Sequence, residues 1–109
     1  MDAGKFDQRV TIQRRVTTQD EYGQEVVEWA DLAHPWAQAA PQRGREYVAA
    51  GQAQAEVPVI FRIWWRAGID QTMRVLWRGQ PHDITAVIDP QGARRMLELV
   101  CVAGVRDGR

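Results

Sequence analysis

The stretch "VPVIFRIWWRAGIDQTMRVLW", residues 57–77, carries the clearest periodicity in the chain and decides the fold. Val57, Val59, Phe61, Ile63 and Trp65 alternate with Ile60, Arg62, Trp64 and Arg66, which is the period of two that puts one set of side chains on each face of a β-strand. Met73, Val75 and Trp77 repeat the pattern after "AGIDQT". Read as a hairpin with residues 66 and 74 paired, the two segments form one apolar face and one arginine face. Arg62 then lies opposite Arg78, and Arg66 opposite Arg74, with Trp64 among them. Like charges directly opposite one another are unfavourable, so this pairing calls for an outside anion or partner.

Short alternating segments divided by turn residues extend in both directions, predicting a mainly β fold, a small β-barrel with one short helix or long loop. Upstream, "QRVTIQRRV" reads as a half-buried strand with Val10, Ile12 and Arg14 in phase. "TTQDEYGQE" reads as an exposed, mobile loop, Val26 to Ala30 as a second strand, and Trp36 to Ala40 as a third. Residues 41–58 are rich in alanine and glutamine, and predict either a helix from about Arg45 to Gln54 or a long loop. Gly51 costs the helix about 1 kcal/mol relative to alanine. Downstream, "RGQPHD" and "DPQGARR" are turns flanking "DITAVID", whose inward set is either Ile84, Ala86 and Ile88 or Asp83, Thr85 and Val87. In "MLELVCV", Leu97, Leu99 and Cys101 share a face.

At 109 residues and 12.4 kDa the chain is expected to be a single domain, residues 1–109, with a small core. It carries 14 basic and 14 acidic residues, so bulk electrostatics gives no drive toward nucleic acid. The charge is nonetheless uneven: residues 1–40 hold four basic and seven acidic groups, and residues 41–78 hold six and three. Thirteen of the 14 cations are arginine, suited to bidentate contacts. With no serine and no asparagine, a serine nucleophile and N-glycosylation are excluded. One cysteine leaves no internal disulfide, and no apolar run is long enough for a membrane span, so the chain reads as soluble and intracellular at synthesis.

Cys101 among leucines reads as an inert core thiol. His34 and His82 each stand beside a turn proline, as surface histidines do, and form no ligand or nucleophile spacing with it. Neither a catalytic residue, a cofactor site nor a metal site is expected; a thiol hydrolase on Cys101 and His82 is the remote alternative. Of the five tryptophans, Trp65 and Trp77 fall on the core phase, Trp64 faces outward, and Trp29 and Trp36 are undecided. Outward aromatics beside arginines suit a protein interface. They equally suit an OB-like or SH3-like barrel that stacks the bases of a single-stranded nucleic acid.

The order of pieces is itself informative. "FDQRVTIQRRV", "DEYGQEVVEW", "PWAQAAPQRGREYVAAGQAQAEV", "FRIWWRAGIDQTMRVLWRGQPHDITAVIDP" and "LELVC" together resemble the phage head-to-tail joining family, also called head closure or stopper proteins, from Lys5 to about Cys101. The resemblance implies a non-enzymatic virion component made in the bacterial cytoplasm, and gene transfer agents carry similar proteins. Its subunits would form a ring in the neck that closes the portal channel after DNA packaging and connects head to tail. The partners implied are further copies of itself, a portal or adaptor protein, a tail completion or tail tube protein, and packaged double-stranded DNA; no membrane is involved. Asp20, Glu21, Tyr22, Trp29, Arg62, Trp64, Arg66, Arg74 and Arg78 are the candidate interface residues. Arg43, Arg45, Glu46, Tyr47, Gln52 and Gln54 belong to a segment that either closes the channel or is an ordinary surface loop.

Overall fold

The computed structural model describes residues 6–42 and 57–103. Every regular element among them is a strand: β1 (Gln8–Arg9), β2 (Thr11–Gln19), β3 (Glu25–Ala33), β4 (Trp36–Pro41), β5 (Val59–Trp64), β6 (Arg74–Trp77), β7 (Gln80–Ile88) and β8 (Met96–Ala103). They form one antiparallel sheet in the order β1-β4-β5-β8-β7-β6-β2-β3, curled into a half-barrel. The fold is mainly β, as the periodicity predicts. The expected helix over 45–54 lies outside the described residues.

What curls the sheet is one interrupted strand. β1 pairs with β4 at one edge while β2 pairs with β6 near the other, and only Val10 separates them. Val10 is buried to 1% and donates its N–H to the Pro35 carbonyl at 3.2 Å, so the chain passes from one edge of the sheet to the other without losing its hydrogen bond. Inside lie Ile12, Ala37, Val59, Phe61, Ile63, Val75, Ile84, Leu97, Leu99 and Cys101, drawn from six strands. Phe61 is fully buried with Trp77 edge-on at 5.3 Å.

The core phases of the central segment hold: Val59, Phe61, Ile63 and Val75 are buried, while Trp65, Met73 and Trp77 pack against them. Val57, by contrast, is exposed and precedes the strand. The expected hairpin between the two segments does not form. β5 lies between β4 and β8, whereas β6 lies between β7 and β2. Alternation fixes which side chains point inward and leaves the neighbouring strand open, and the observed neighbour is the one that avoids opposed like charges. In the observed register Arg62 faces Glu98 of β8, where the expected one would have placed it opposite Arg78.

Two bulges explain the remaining phase differences. The β2–β3 register shifts between Ile12 and Gln13, so consecutive residues are both buried and Arg14 turns outward with the rest of the strand. In β7 the shift between Ile84 and Ala86 brings Ile84 and then Val87 to the core, one residue from each expected set, and leaves Ile88 exposed.

Candidate functional site

Beyond the bulge at Gln13, β2 leaves the barrel. β6 covers only Thr11–Gln13, while β3 pairs β2 all the way from Ile12 to Gln19, so residues 14–32 form a two-stranded arm. The expected loop over residues 17–25 is therefore the distal half of this hairpin, exposed throughout except at Val26 just beyond it. At its tip Asp20 opens a turn closed by the Gly23 N–H on the Asp20 carbonyl at 3.0 Å. The Asp20 Oδ1 accepts from the N–H groups of Tyr22 and Gln24, both at 2.9 Å, and Gly23 takes the left-handed φ of 82°. With Asp20 committed to the turn, Glu21 and Tyr22 project from its crown, and Tyr22 is 83% exposed.

The arm is rooted by a polar chain through three strands. Buried Gln13 donates to Asp31 of β3 at 2.9 Å and accepts from Arg74 Nε of β6 at 2.8 Å, and the Arg74 guanidinium covers the Trp29 ring at 4.3 Å. This satisfies a glutamine that would otherwise be costly to bury. Sequence reasoning missed Gln13, because a polar residue in an alternating strand is assigned to the outer face until a bulge is known.

At the opposite end of the β1–β2 strand lies an aromatic surface. Phe6 and Trp64 stack at 5.0 Å and 9°, and Arg9 covers the half-exposed Trp36 at 5.0 Å. Between them a cavity of about 490 Å³ is lined by Phe6, Pro35, Trp36, Trp64, Trp65 and Arg66. Trp64, 53% exposed, is the wall shared with a second cavity of about 690 Å³ that holds Arg62, Glu98 and Asp89. Trp64 is outward as expected, Trp36 joins it, and Arg94 covers Trp65 at 5.5 Å.

The four arginines of the expected single face are dispersed. Arg62 Nε donates to Glu98 Oε2 at 2.9 Å across β5 and β8. Arg74 belongs to the root of the arm, and Arg66 to the aromatic cavity. Arg78 sits in the β6–β7 turn over Trp77 at 4.6 Å. Asp20, Glu21, Tyr22 and Trp29 are gathered on the arm, whereas Arg43, Arg45, Glu46, Tyr47, Gln52 and Gln54 lie outside the described residues.

The thiol and histidines are accounted for by packing. Cys101 is fully buried, its Sγ–H directed to the Leu99 carbonyl at 3.5 Å, and burial together with nearby Asp83 pushes its pKa up to about 12. Such a thiol supplies no thiolate at neutral pH. His82 is not on the surface: it is buried at 6% exposure between Phe61 and Trp77, 5.7 Å from each ring, with Nδ1 bound to the Gln80 carbonyl at 3.0 Å. Its place opposite Ala103, next to the aromatic core, is set by the β7–β8 register and could not be read from "PHD". His34 is exposed, 3.1 Å from the Thr11 hydroxyl. Among the described residues no three histidine, cysteine or acidic side chains converge on a possible metal position, and no helix is long and apolar enough to cross a membrane.

A surface made of a projecting arm and aromatic clefts is equipped for contact. Against known families, the phage head completion protein profile matches residues 1–104. The chain belongs to that family. It is a structural component of the phage head, in agreement with the head-to-tail joining resemblance. Among solved structures, protein SF1141 from Shigella flexneri 2a, determined in solution, is similar over 97% of this chain and 99% of its own, with 28% identity and a TM-score of 0.74. No functionally curated protein matches.

Proposed function

We propose that this head completion protein assembles as a ring in the neck of a phage or gene transfer agent particle, closes the portal channel after packaging, retains the DNA and joins the head to the tail. A portal or adaptor protein would bound it on the head side and a tail completion or tail tube protein on the tail side, with double-stranded DNA in the channel. The observation that carries this reading, beyond family membership, is the arm. A two-stranded ribbon is marginally stable in water by itself, and in this one every residue from Thr17 to Glu25 is exposed, only Val16, Val26, Trp29 and Ala30 of the arm are half-buried, and the tip ends in an uncovered tyrosine. Such an element gains its stability from a neighbour, and rings of identical subunits offer one at every position.

The test is to replace residues 15–28 with a two-residue turn and assemble particles with the shortened chain. The barrel core contains no residue from that span, so the protein folds, whereas heads accumulate without tails and their DNA becomes accessible to nuclease. Normal tailed, nuclease-resistant particles from the shortened chain would refute the role.

A further inference from the structure

Resting on the ring reading above, we infer that the tip of the arm is a plug and the aromatic cavity its socket on the next copy of this chain, with Tyr22 entering the cleft and Glu21 meeting Arg66.

Three observations support this match. First, the chemistry is complementary: the tip presents an acidic group beside a tyrosine, and the cavity presents an arginine beside Phe6, Trp36, Trp64 and Trp65. Aromatic rings stack on such walls, and the tyrosine hydroxyl can remain at the wet rim. Second, the two charges and the tyrosine that would meet are uncommitted among the described residues. Among the described residues neither Glu21 nor Arg66 forms an ion pair, and Tyr22 touches no other ring. Asp20, by contrast, is spent on the turn, so of the two acidic groups at the tip Glu21 is the one without a hydrogen-bond or ion-pair partner among the described residues.

Third, the geometry forbids the pairing within one chain. The cavity surrounds Phe6 and Trp36 at the start of the β1–β2 strand, and the tip follows its end. β2 alone has nine residues, which at ~3.3 Å each separates the two by about 30 Å. A plug and a socket at opposite ends of one subunit make a heterologous contact, which repeats from copy to copy and closes into a ring when the rotation allows it.

The experiment places a photoreactive benzoylphenylalanine at Tyr22 of the full chain, assembles tailed particles, irradiates them and maps the cross-links by mass spectrometry. Cross-links from Tyr22 to peptides carrying Pro35–Trp36 or Trp64–Arg66 of a second copy are expected. In parallel, Glu21→Arg and Arg66→Glu are each expected to lower the yield of tailed particles at least tenfold, and the two together to restore most of it. If several copies per particle are found but Tyr22 cross-links only to a portal or tail protein, or the double charge reversal gives no recovery, the plug and socket are wrong while the ring stands. If tailed particles contain one copy or none, the ring reading itself fails and this inference with it.

Discussion

Reversing Arg62 to glutamate is expected to weaken the barrel directly. The guanidinium Nε lies 2.9 Å from Glu98 Oε2 on the adjacent strand, with side chains 29% and 24% exposed, and Gln38 Oε1 on the other neighbouring strand accepts from Nη1 at 3.5 Å. A charge-assisted contact of this partial exposure contributes about 1 kcal/mol, between the values for open surface pairs and buried ones. Arg62→Glu removes it and sets two carboxylates opposite each other across β5 and β8, adding roughly 1 kcal/mol of repulsion. The sum, about 2 kcal/mol, corresponds in a domain of this size to a melting temperature roughly 8–12 °C lower. Glu98→Arg in the same chain restores an attractive pair in the same register, so the double variant should recover at least half of the loss. Thermal unfolding followed by circular dichroism measures all three proteins. If Arg62→Glu melts like the parent but leaves heads without tails, Arg62 acts on a partner and the intramolecular assignment is wrong.

Other expectations follow from the same contacts. Cys101→Ala should assemble normally and lose about 1–2 kcal/mol, and the native thiol should resist maleimide at pH 7. Because its folded pKa is raised from 9.0 to about 12, the stability it contributes is fully present below pH 9 and declines as pH rises toward 12, which titration of the melting temperature can follow. Gly79→Ala should cost about 1 kcal/mol for conformational reasons alone: the Arg78–Gly79 turn needs positive φ at both residues, 54° and 77°, and a Cβ at Gly79 meets nothing within 4 Å. Gln13→Ala should lower stability by about 1–2 kcal/mol, since Asp31 and Arg74 each lose a bond to it, and should accelerate hydrogen exchange in the arm more than in β5 and β8. Uniform acceleration across the sheet would show that Gln13 does not root the arm.

Much of the barrel was legible in the sequence. Alternation around Phe61 and Leu99 marks the inward faces, because the strand period is a local property that a sequence displays directly. Cys101 beside two leucines is recognisable as core for the same reason, and the order of segments is enough to point to the family. Local rules also identify Asp20 and Gly23 as turn residues, although they do not tell a loose loop from the end of a long hairpin.

Tertiary structure decided which strands are neighbours. The apolar period of β5 does not distinguish β6 from β8 as its neighbour, and in the observed pairing Arg62 meets Glu98, 36 residues away, rather than another arginine. Bulges at Ile12/Gln13 and Ile84/Ala86 shift the phase by one residue, which no fixed period can foresee, and so Gln13, Ile84 and Val87 are placed only by pairing. The separation of the acidic tip from the aromatic cavity likewise depends on β2 continuing to Gln19 beyond the three residues that β6 covers. The sequence alone determined the inward faces of the regular strands and which family the chain resembles, because both are written in local pattern and order; the pairing of distant strands, and with it the surfaces offered to a neighbour, is a property of the whole curled sheet.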